Sequence, residues 1–403
     1  MSAPPYMSAK EAAEALDISL ATLYSYVSRG LIRSEAIGGS KRSRRYRRED
    51  VEQLQQRKVI RRNPAQAGEE LLHWGMPIME SAITLIRDGG LYYRGKDALE
   101  LARQVSVEEV AALIWTGDMG KVDEIWGTGI EVELPEGVRE ICGDLTPVEA
   151  FQVILPLVAS RDLAAYDLRA ERSAQTGAKI LSLMVGMVGG QHDGELRFGE
   201  QLQRVWAENV EHAAYLLNAA MILCADHELN VSAFTARCVA SAGSTLYQVA
   251  LAGLAALQGV KHGGYVSRVE AFLREVGEPN RARLVIGERL KRGETIPGFG
   301  HRLYAEGDPR GRLLLGLIEA YLPETEALVL GKTVVEAVED LTGQHPTIDT
   351  GLAVLSRVLD LPAGAGIALF AMGRTIGWIG HAMEQYALDQ IIRPRARYVG
   401  ENL

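Results

Sequence analysis

Three histidines sit beside glycines or acids where the chain reads as passing from loop to helix. They lie in Asp226-His227-Glu228-Leu229-Asn230, Lys261-His262-Gly263-Gly264 and Gly298-Phe299-Gly300-His301-Arg302. Downstream come Asp308-Pro309-Arg310, Ile348-Asp349-Thr350-Gly351, Arg374 within an apolar run, and Arg393-Pro394-Arg395. Glycine lets backbone approach a ligand closely. Guanidinium forks hold carboxylates bidentately, and histidines with a carboxylate supply acid–base chemistry. The set suits a dianionic substrate that carries a carbonyl. Each group also has a plainer reading. His262-Gly263 is a turn, His227 a salt-bridged cap between two acids, Asp349 an N-cap, and Arg310 a solvated helix start. Arg374 is different, because an arginine in a strongly apolar helix requires an anionic partner.

Other chemistries lack their signatures. The chain has no phosphate-cradling Walker loop, no G-x-G-x-x-G, no G-x-S-x-G and no H-E-x-x-H. His227-Glu228 begins a zinc-protease pattern, but Val231 stands where the second histidine belongs. No metal site and no cofactor are expected.

The elements that must position these residues are mainly helices. The pattern predicts a strand Ser81–Ile86, a turn at Asp88-Gly89-Gly90 and a strand at Leu91–Tyr93. Helices follow at 97–104, 107–115, 147–160, 172–188, 200–224, 233–257, 266–276, 282–292, 310–321, 324–341, 348–359 and 364–388. The body is thus all-α with one small hairpin. Ahead of it, Ser8 and Glu11 fit a capping box. A helix to Leu16, a turn at 17–19, a helix from Leu20 to Arg29, a wing turning at 37–41 and a third helix from Glu49 to Arg62 complete a compact module. Residues 65–70 read as a linker.

Bulk properties agree with this division. The 403 residues are too many for one typical domain, and 47% hydrophobic with 24% charged is ordinary for a globular protein. Residues 1–62 hold 13 basic and 7 acidic side chains, a balance of +6, against a total of −9. A small basic block on an acidic body implies modules with different partners. Three cysteines without a C-x-x-C pair suggest neither a disulfide framework nor zinc, and the plain reading is a reducing cytoplasm. No apolar signal segment opens the chain, and the apolar stretches are too short for a membrane span or, at 363–382, carry Arg374.

The order and spacing of the motifs resemble the citrate synthase family. D-H-E-L-N-x-S-x-F-x-A-R at 226–237 looks like that family's first substrate-binding segment. H-G-G at 262–264, G-F-G-H-R-x-Y at 298–304, D-P-R at 308–310, I-D-T-G at 348–351 and G-R-x-x-G-W-x-x-H at 373–381 follow in the family's order. Gly89–Gly95 and Val105–Val110 resemble its N-terminal portion, so the likeness covers about residues 75–403. The resemblance implies a two-domain helical fold, with a large domain at 63–230 and 336–403 and a small one at 231–335. It implies catalytic His262, His301 and Asp349, and oxaloacetate held by His227, Arg310, Arg374 and Arg393. The last would come from the partner in a homodimer. Gly298, Phe299 and Gly300 would lie against CoA, whose thioester is a substrate rather than a cofactor. Gly259-Val260-Lys261 replaces the usual Gly-Pro-Leu, Tyr265 replaces a small residue, and Thr347-Ile348-Asp349 replaces Asn-Val-Asp. The segment 116–145 is short beside the family's helical pair. These departures bear on acyl specificity and rate more than on reaction class.

Residues 6–58 resemble the helix-turn-helix modules of excisionases and of winged regulators of the mercury-resistance type. The resemblance implies a small winged module at 1–62 that meets DNA through Thr22, Tyr24 and Arg29 on its second helix and Lys41, Arg42, Arg44 and Arg45 on its wing. The alternative is a solvated loop or a protein-contacting module. Three functions stay open: an acetyl-CoA–oxaloacetate condensing enzyme, the propionyl-CoA enzyme that makes 2-methylcitrate, and a DNA-binding regulator whose body senses CoA esters or oxaloacetate.

Overall fold

The computed structural model describes residues 6–29, 31–36, 44–48, 50, 51, 54, 79–127, 134–188, 190, 196–304, 306–396 and 398–401. It divides into two compact units, Ser81–Ile392 and Met1–Glu80 with Arg393–Leu403.

The larger unit opens with a sheet. Strands Thr84–Arg87 and Gly90–Tyr93 pair antiparallel, with Thr84 opposite Tyr93, and a third strand Lys96–Asp97, unforeseen in the sequence, extends them. The rest is helical. The element that organises it is Ala365–Leu388, which starts at Gly364 and is buried around almost its whole circumference. A helix apolar on all sides belongs at the centre of a core. Helices Ala170–Val188, Ala213–Cys224, Val231–Ala240 and Leu246–Leu257 pack around it.

Two expected long helices are broken. The one expected at 200–224 is Phe198–Trp206 followed by Ala213–Cys224. His212 takes a left-handed backbone at the corner, and the Gln203 amide bridges it, donating to Val210 O and accepting from Ala214 N. The one expected at 233–257 is Val231–Ala240 and Leu246–Leu257. Gly243 has φ 75° there, a conformation that costs glycine little. Tyr386 Oη donates to Ser244 O and pins the corner. The first break reads Glu-Asn-Val-Glu-His at 208–212 and the second Ser-Ala-Gly-Ser-Thr at 241–245, residues that a helix surface also accepts, and the helical pattern on either side ran across them. The 116–145 segment forms a short 3-10 turn, Met119–Lys121, and helices Val122–Trp126 and Val138–Ile141, with residues 128–133 outside the described set.

The smaller unit has the expected capping box: Ser8 N donates to Glu11 Oε2 at 2.7 Å and Glu11 N to Ser8 Oγ at 3.3 Å. Helices Ala9–Leu16 and Leu20–Ser28 flank a turn in which Asp17 is left-handed. Strands Ser34–Ala36 and Arg44–Arg47 form the wing, and Tyr6–Met7 adds a third strand beside Arg44–Arg47. Leu16, Leu23, Ile32, Tyr46 and Val51 fill its own core. The wing turn at 37–41, the linker and most of the third helix lie outside the described residues.

Candidate active site

Two loops carry most of the expected residues, and backbone pairing holds them together. Phe299 bridges Pro346 antiparallel, and Gly300 N donates to His345 O at 2.9 Å. The Gly298 carbonyl accepts from Thr347 N at 2.8 Å, Thr347 Oγ1 at 3.1 Å and Thr350 Oγ1 at 2.7 Å. His301 and Asp349, 48 positions apart, leave this ladder on adjacent strands of chain. Thr347, not Asp349, is the N-cap of helix Ile348–Val358, and Asp349 stands in its first turn. The plainer cap reading of Asp349 is therefore replaced.

Asp308 ties the arginine to the same place. It caps helix Pro309–Tyr321, accepts from Arg310 Nε at 2.9 Å and Nη2 at 2.8 Å, and accepts from Ile348 N at 3.1 Å. Arg310 is 3% exposed, which rules out a solvated helix start. Burial, the largest influence, lowers its pKa, but Asp308 together with Tyr304 and Cys224 more than offsets this and holds it above the ordinary arginine range. Arg374 is 1% exposed, its Nε donates to Cys224 O at 2.8 Å, and its guanidinium lies 4.8 Å from the Phe370 ring centroid. No described carboxylate lies within ion-pair distance of it, so the anionic partner expected of it is not supplied by the described chain.

The three histidines face one another's surroundings. His227 and His301 rings are 5.3 Å apart, and Tyr304 packs on both at 5.6 and 5.0 Å. His227 Nε2 lies 2.9 Å from Tyr304 Oη, so His227 is no salt-bridged cap. Burial first, then Arg310 and Arg374, hold His227 well below the ordinary histidine range. Burial and Arg310 also lower His301, and burial with Arg374 lowers His262 to about 4. All three are neutral at neutral pH. The opposite happens at Asp349. Dense protein around it pushes its carboxyl up to about 6, although a hydrogen bond from Thr347 Oγ1 at 3.0 Å and the Arg310 charge oppose the rise. The side chain still keeps an opening to solvent.

His262 stands just before Gly263, the N-cap of helix Gly264–Val276, and its Nε2 lies 2.8 Å from Ser232 Oγ. Trp378 Nε1 donates to the same hydroxyl at 3.1 Å. The Ser232 proton then has two acceptors, Asn230 Oδ1 at 2.8 Å and the neutral imidazole. Given to His262, it leaves the ring's N–H on Nδ1. Sequence reading had Ser232 and Tyr304 inside motifs without a role for either, and had no signal for the partnership of Trp378 with Ser232. Arg393 is exposed and belongs to the other unit, so unit Ser81–Ile392 does not by itself include it.

In the smaller unit the second helix exposes Tyr24, while Thr22 is drawn to the Ser19 cap at 2.9 Å. Arg29 folds back, its Nε donating to Ser25 O at 3.3 Å. Arg44 is exposed, and Arg45 pairs with Glu35 at 2.9 Å over the Tyr6 ring. Lys41 and Arg42 lie outside the described residues.

A family model described as citrate synthase, C-terminal domain, matches residues 71–395, and one described as a helix-turn-helix domain matches 6–59. Citrate synthase of Haloferax volcanii is 30% identical over 366 residues, covering 81% of this chain and 94% of that protein. 2-Methylcitrate synthase of Mycobacterium tuberculosis is 25% identical over 350 residues, covering 81% and 89%. The crystal structure of citrate synthase from Thermotoga maritima superposes with a TM-score of 0.69 at 27% identity, covering 81% of this chain and 94% of that one. A helical body with histidines, a protonatable carboxyl and buried arginines in the family's order, matched over four-fifths of its length, places this chain in the citrate synthase family.

Proposed function

We propose that the chain condenses acetyl-CoA with oxaloacetate and water to give citrate and CoA. The observation that carries this reading is the Asp349 carboxyl, pushed up to about 6 and still open to solvent, in a cluster whose histidines are neutral. An α-carbon beside a thioester is a far weaker acid than any side chain, so a base needs help from groups that stabilise the enolate as charge develops. Asp349 takes the α-proton. His262 donates to the thioester oxygen. The enolate carbon attacks the oxaloacetate carbonyl while His301 donates to its oxygen, and hydrolysis of citryl-CoA releases CoA. Each acid–base group contributes on the order of 10²–10⁴-fold.

Arg310, Arg374 and His227 hold oxaloacetate. That no described carboxylate lies within ion-pair distance of Arg374 supports its part, because a buried guanidinium is strongly stabilised by one. Arg393, exposed on its own chain, reaches the site of the partner in a homodimer. Gly298, Phe299 and Gly300 face CoA. The carbonyl of Gly298 and the N–H of Gly300 are already committed to residues 345–350, which leaves the outer face of this loop for the ligand. Residues 231–335 act as a small domain closing on 63–230 and 336–403. His301, Arg310 and Asp349 are already joined by the 298–300 pairing with 345–347 and by Asp308, so closure would serve to exclude water. The reaction needs no cofactor, and the three unpaired cysteines fit a cytoplasmic setting. Propionyl-CoA is the second acyl donor considered, favoured by the 2-methylcitrate synthase relative. One methylene is worth about 1–3 kcal/mol in a pocket. The helix-turn-helix unit is proposed to bind DNA.

Thiol release from acetyl-CoA or propionyl-CoA with oxaloacetate, in the wild type and in Asp349→Ala, tests the reading. Turnover is expected in the wild type, with a loss on the order of 10³-fold in the variant, and the faster donor is the substrate. A folded wild type that releases no thiol with either donor would overturn the enzyme reading in favour of a CoA-ester or oxaloacetate sensor.

A further inference from the structure

His381 is fully buried two turns after Arg374 on helix Ala365–Leu388, and nothing in the reaction above uses it. Its Nε2 lies 3.3 Å from Asp226 Oδ1 and its Nδ1 3.9 Å from Glu384 Oε2. Neither ring nitrogen has a hydrogen-bond partner of good geometry, and neither does Asp226 Oδ1. With a proton on each nitrogen, the ring offers a donor to both carboxylates; with one proton, a lone pair faces a carboxylate. Asp226 is fully buried as well. Burial acts most strongly and would raise its carboxyl, but His381, Arg374 and the Thr84 hydroxyl together hold it below its ordinary range.

What Asp226 holds gives the contact its meaning. Segment 224–228 meets the central helix at successive turns: Arg374 Nε donates to Cys224 O at 2.8 Å, Gly377 N to Ala225 O at 3.0 Å, and the His381 ring approaches Asp226 at 3.3 Å. From the other side Thr84 Oγ1 donates to Asp226 Oδ2 at 2.6 Å, and Tyr93 Oη to the Asp226 carbonyl at 3.2 Å. Glu228 N donates to Asp226 Oδ2 at 3.1 Å. The next residue in the chain is His227. The distance between His227 and Arg374 therefore depends on how firmly Asp226 is held against the helix that carries Arg374.

We propose that His381 is a positioning residue for oxaloacetate: by bridging Asp226 and Glu384 it locks segment 224–228 to the helix and sets His227 against Arg374. This rests on the reading that His227 and Arg374 bind oxaloacetate. Asp349 is held by the pairing of 298–300 with 345–347, and His262 by the Ser232 hydroxyl, to which Trp378 of the central helix also donates; His381 touches neither, so its effect falls chiefly on oxaloacetate.

The test is steady-state kinetics of His381→Gln and of Asp226→Asn/His381→Gln in the full chain. In the single variant KM for oxaloacetate rises about tenfold or more, while KM for the acyl-CoA and kcat stay within about threefold, the mark of a lost ground-state contact with one substrate. The double variant recovers most of the loss, because it removes the carboxylate that the single variant leaves without its partner. Equal rises in both KM values, or a double variant no better than the single, would overturn the proposal. If neither variant folds, Thr84→Val loosens the same carboxylate from the other side. A rise of about threefold in oxaloacetate KM alone is then expected, and an unchanged value would overturn the proposal. An inactive wild type sinks the condensing reading and this one with it, whereas an active wild type with a uniform loss in the variants sinks this one alone.

Discussion

At the scale of single residues, the site works by opposing shifts. Burial penalises whichever form of a group is charged, so it favours neutral histidines and a protonated carboxyl. His262 at about 4 and Asp349 at about 6 are two results of one low-dielectric environment. The consequence for activity has a definite sign. Asp349 acts as a base only when ionised, and its pKa in the fold is raised, so kcat/KM should fall tenfold per unit as pH drops below about 6 and level off above it. A pH profile of the wild type with saturating oxaloacetate checks this. An acid limb near 4, where an unperturbed aspartate titrates, would mean that Asp349 is not the base or not desolvated. The residue types were legible in the sequence, since His262, His301, Asp349, His227, Arg310 and Arg374 stood out by their company. Their environments were not, because desolvation and through-space charge come from side chains remote in the chain. Ser232 and His262 are thirty positions apart, and Trp378 is a further 116 beyond.

At the scale of elements, the pairing of 298–300 with 345–347 is the joint on which the site depends. Gly298 has φ 85°, and a β-carbon there would meet the Thr350 hydroxyl and Val269. Gly298→Ala should destabilise the fold by roughly 2 kcal/mol or more, from left-handed strain together with the clash. Gly293→Ala is the comparison, with φ 73° but open space around it, and should cost about 1 kcal/mol. Urea unfolding of the two variants measures the difference. Thiol-release rates should follow the same order, because only Gly298 sits on the ladder that places His301 and Asp349. Equal losses would mean that backbone conformation alone accounts for the effect. Helix positions were readable from period and caps, as in the matching starts at Val107, Pro147 and Ile348. The corners at 207–212 and 241–245 were not. Polar residues at 208–212 and small ones at 241–245 suit a helix surface as well as a corner, and the turn is fixed by contacts from Gln203 and Tyr386.

At the scale of the whole molecule, the charge is divided: residues 1–62 are basic and the body acidic. Part of the basic charge is offset within the module, as Arg45 is by Glu35 and Arg33 by Asp50. The exposed Arg45–Glu35 pair is worth only about 0–1 kcal/mol, and a phosphate can compete for it. If the module binds DNA, fluorescence anisotropy of the full chain on duplex DNA should show affinity falling steeply between about 50 and 200 mM salt, with a shallower slope for Arg44→Ala. Binding that is absent at the lowest salt would leave the module as a protein-contacting unit. Among the described residues no helix is long and apolar enough to cross a membrane. The sequence by itself determined the family, the helical character of the body and the inventory of chemical groups, because motif order and amphipathic period are local properties of the chain. Only the tertiary structure decided that, among the described residues, Arg374 has no carboxylate within ion-pair distance, that Ser232 and Trp378 address His262, and that His381 lies between two carboxylates. Those facts depend on which distant segments the core brings within a few ångströms of one another, and packing, not spacing along the chain, sets that.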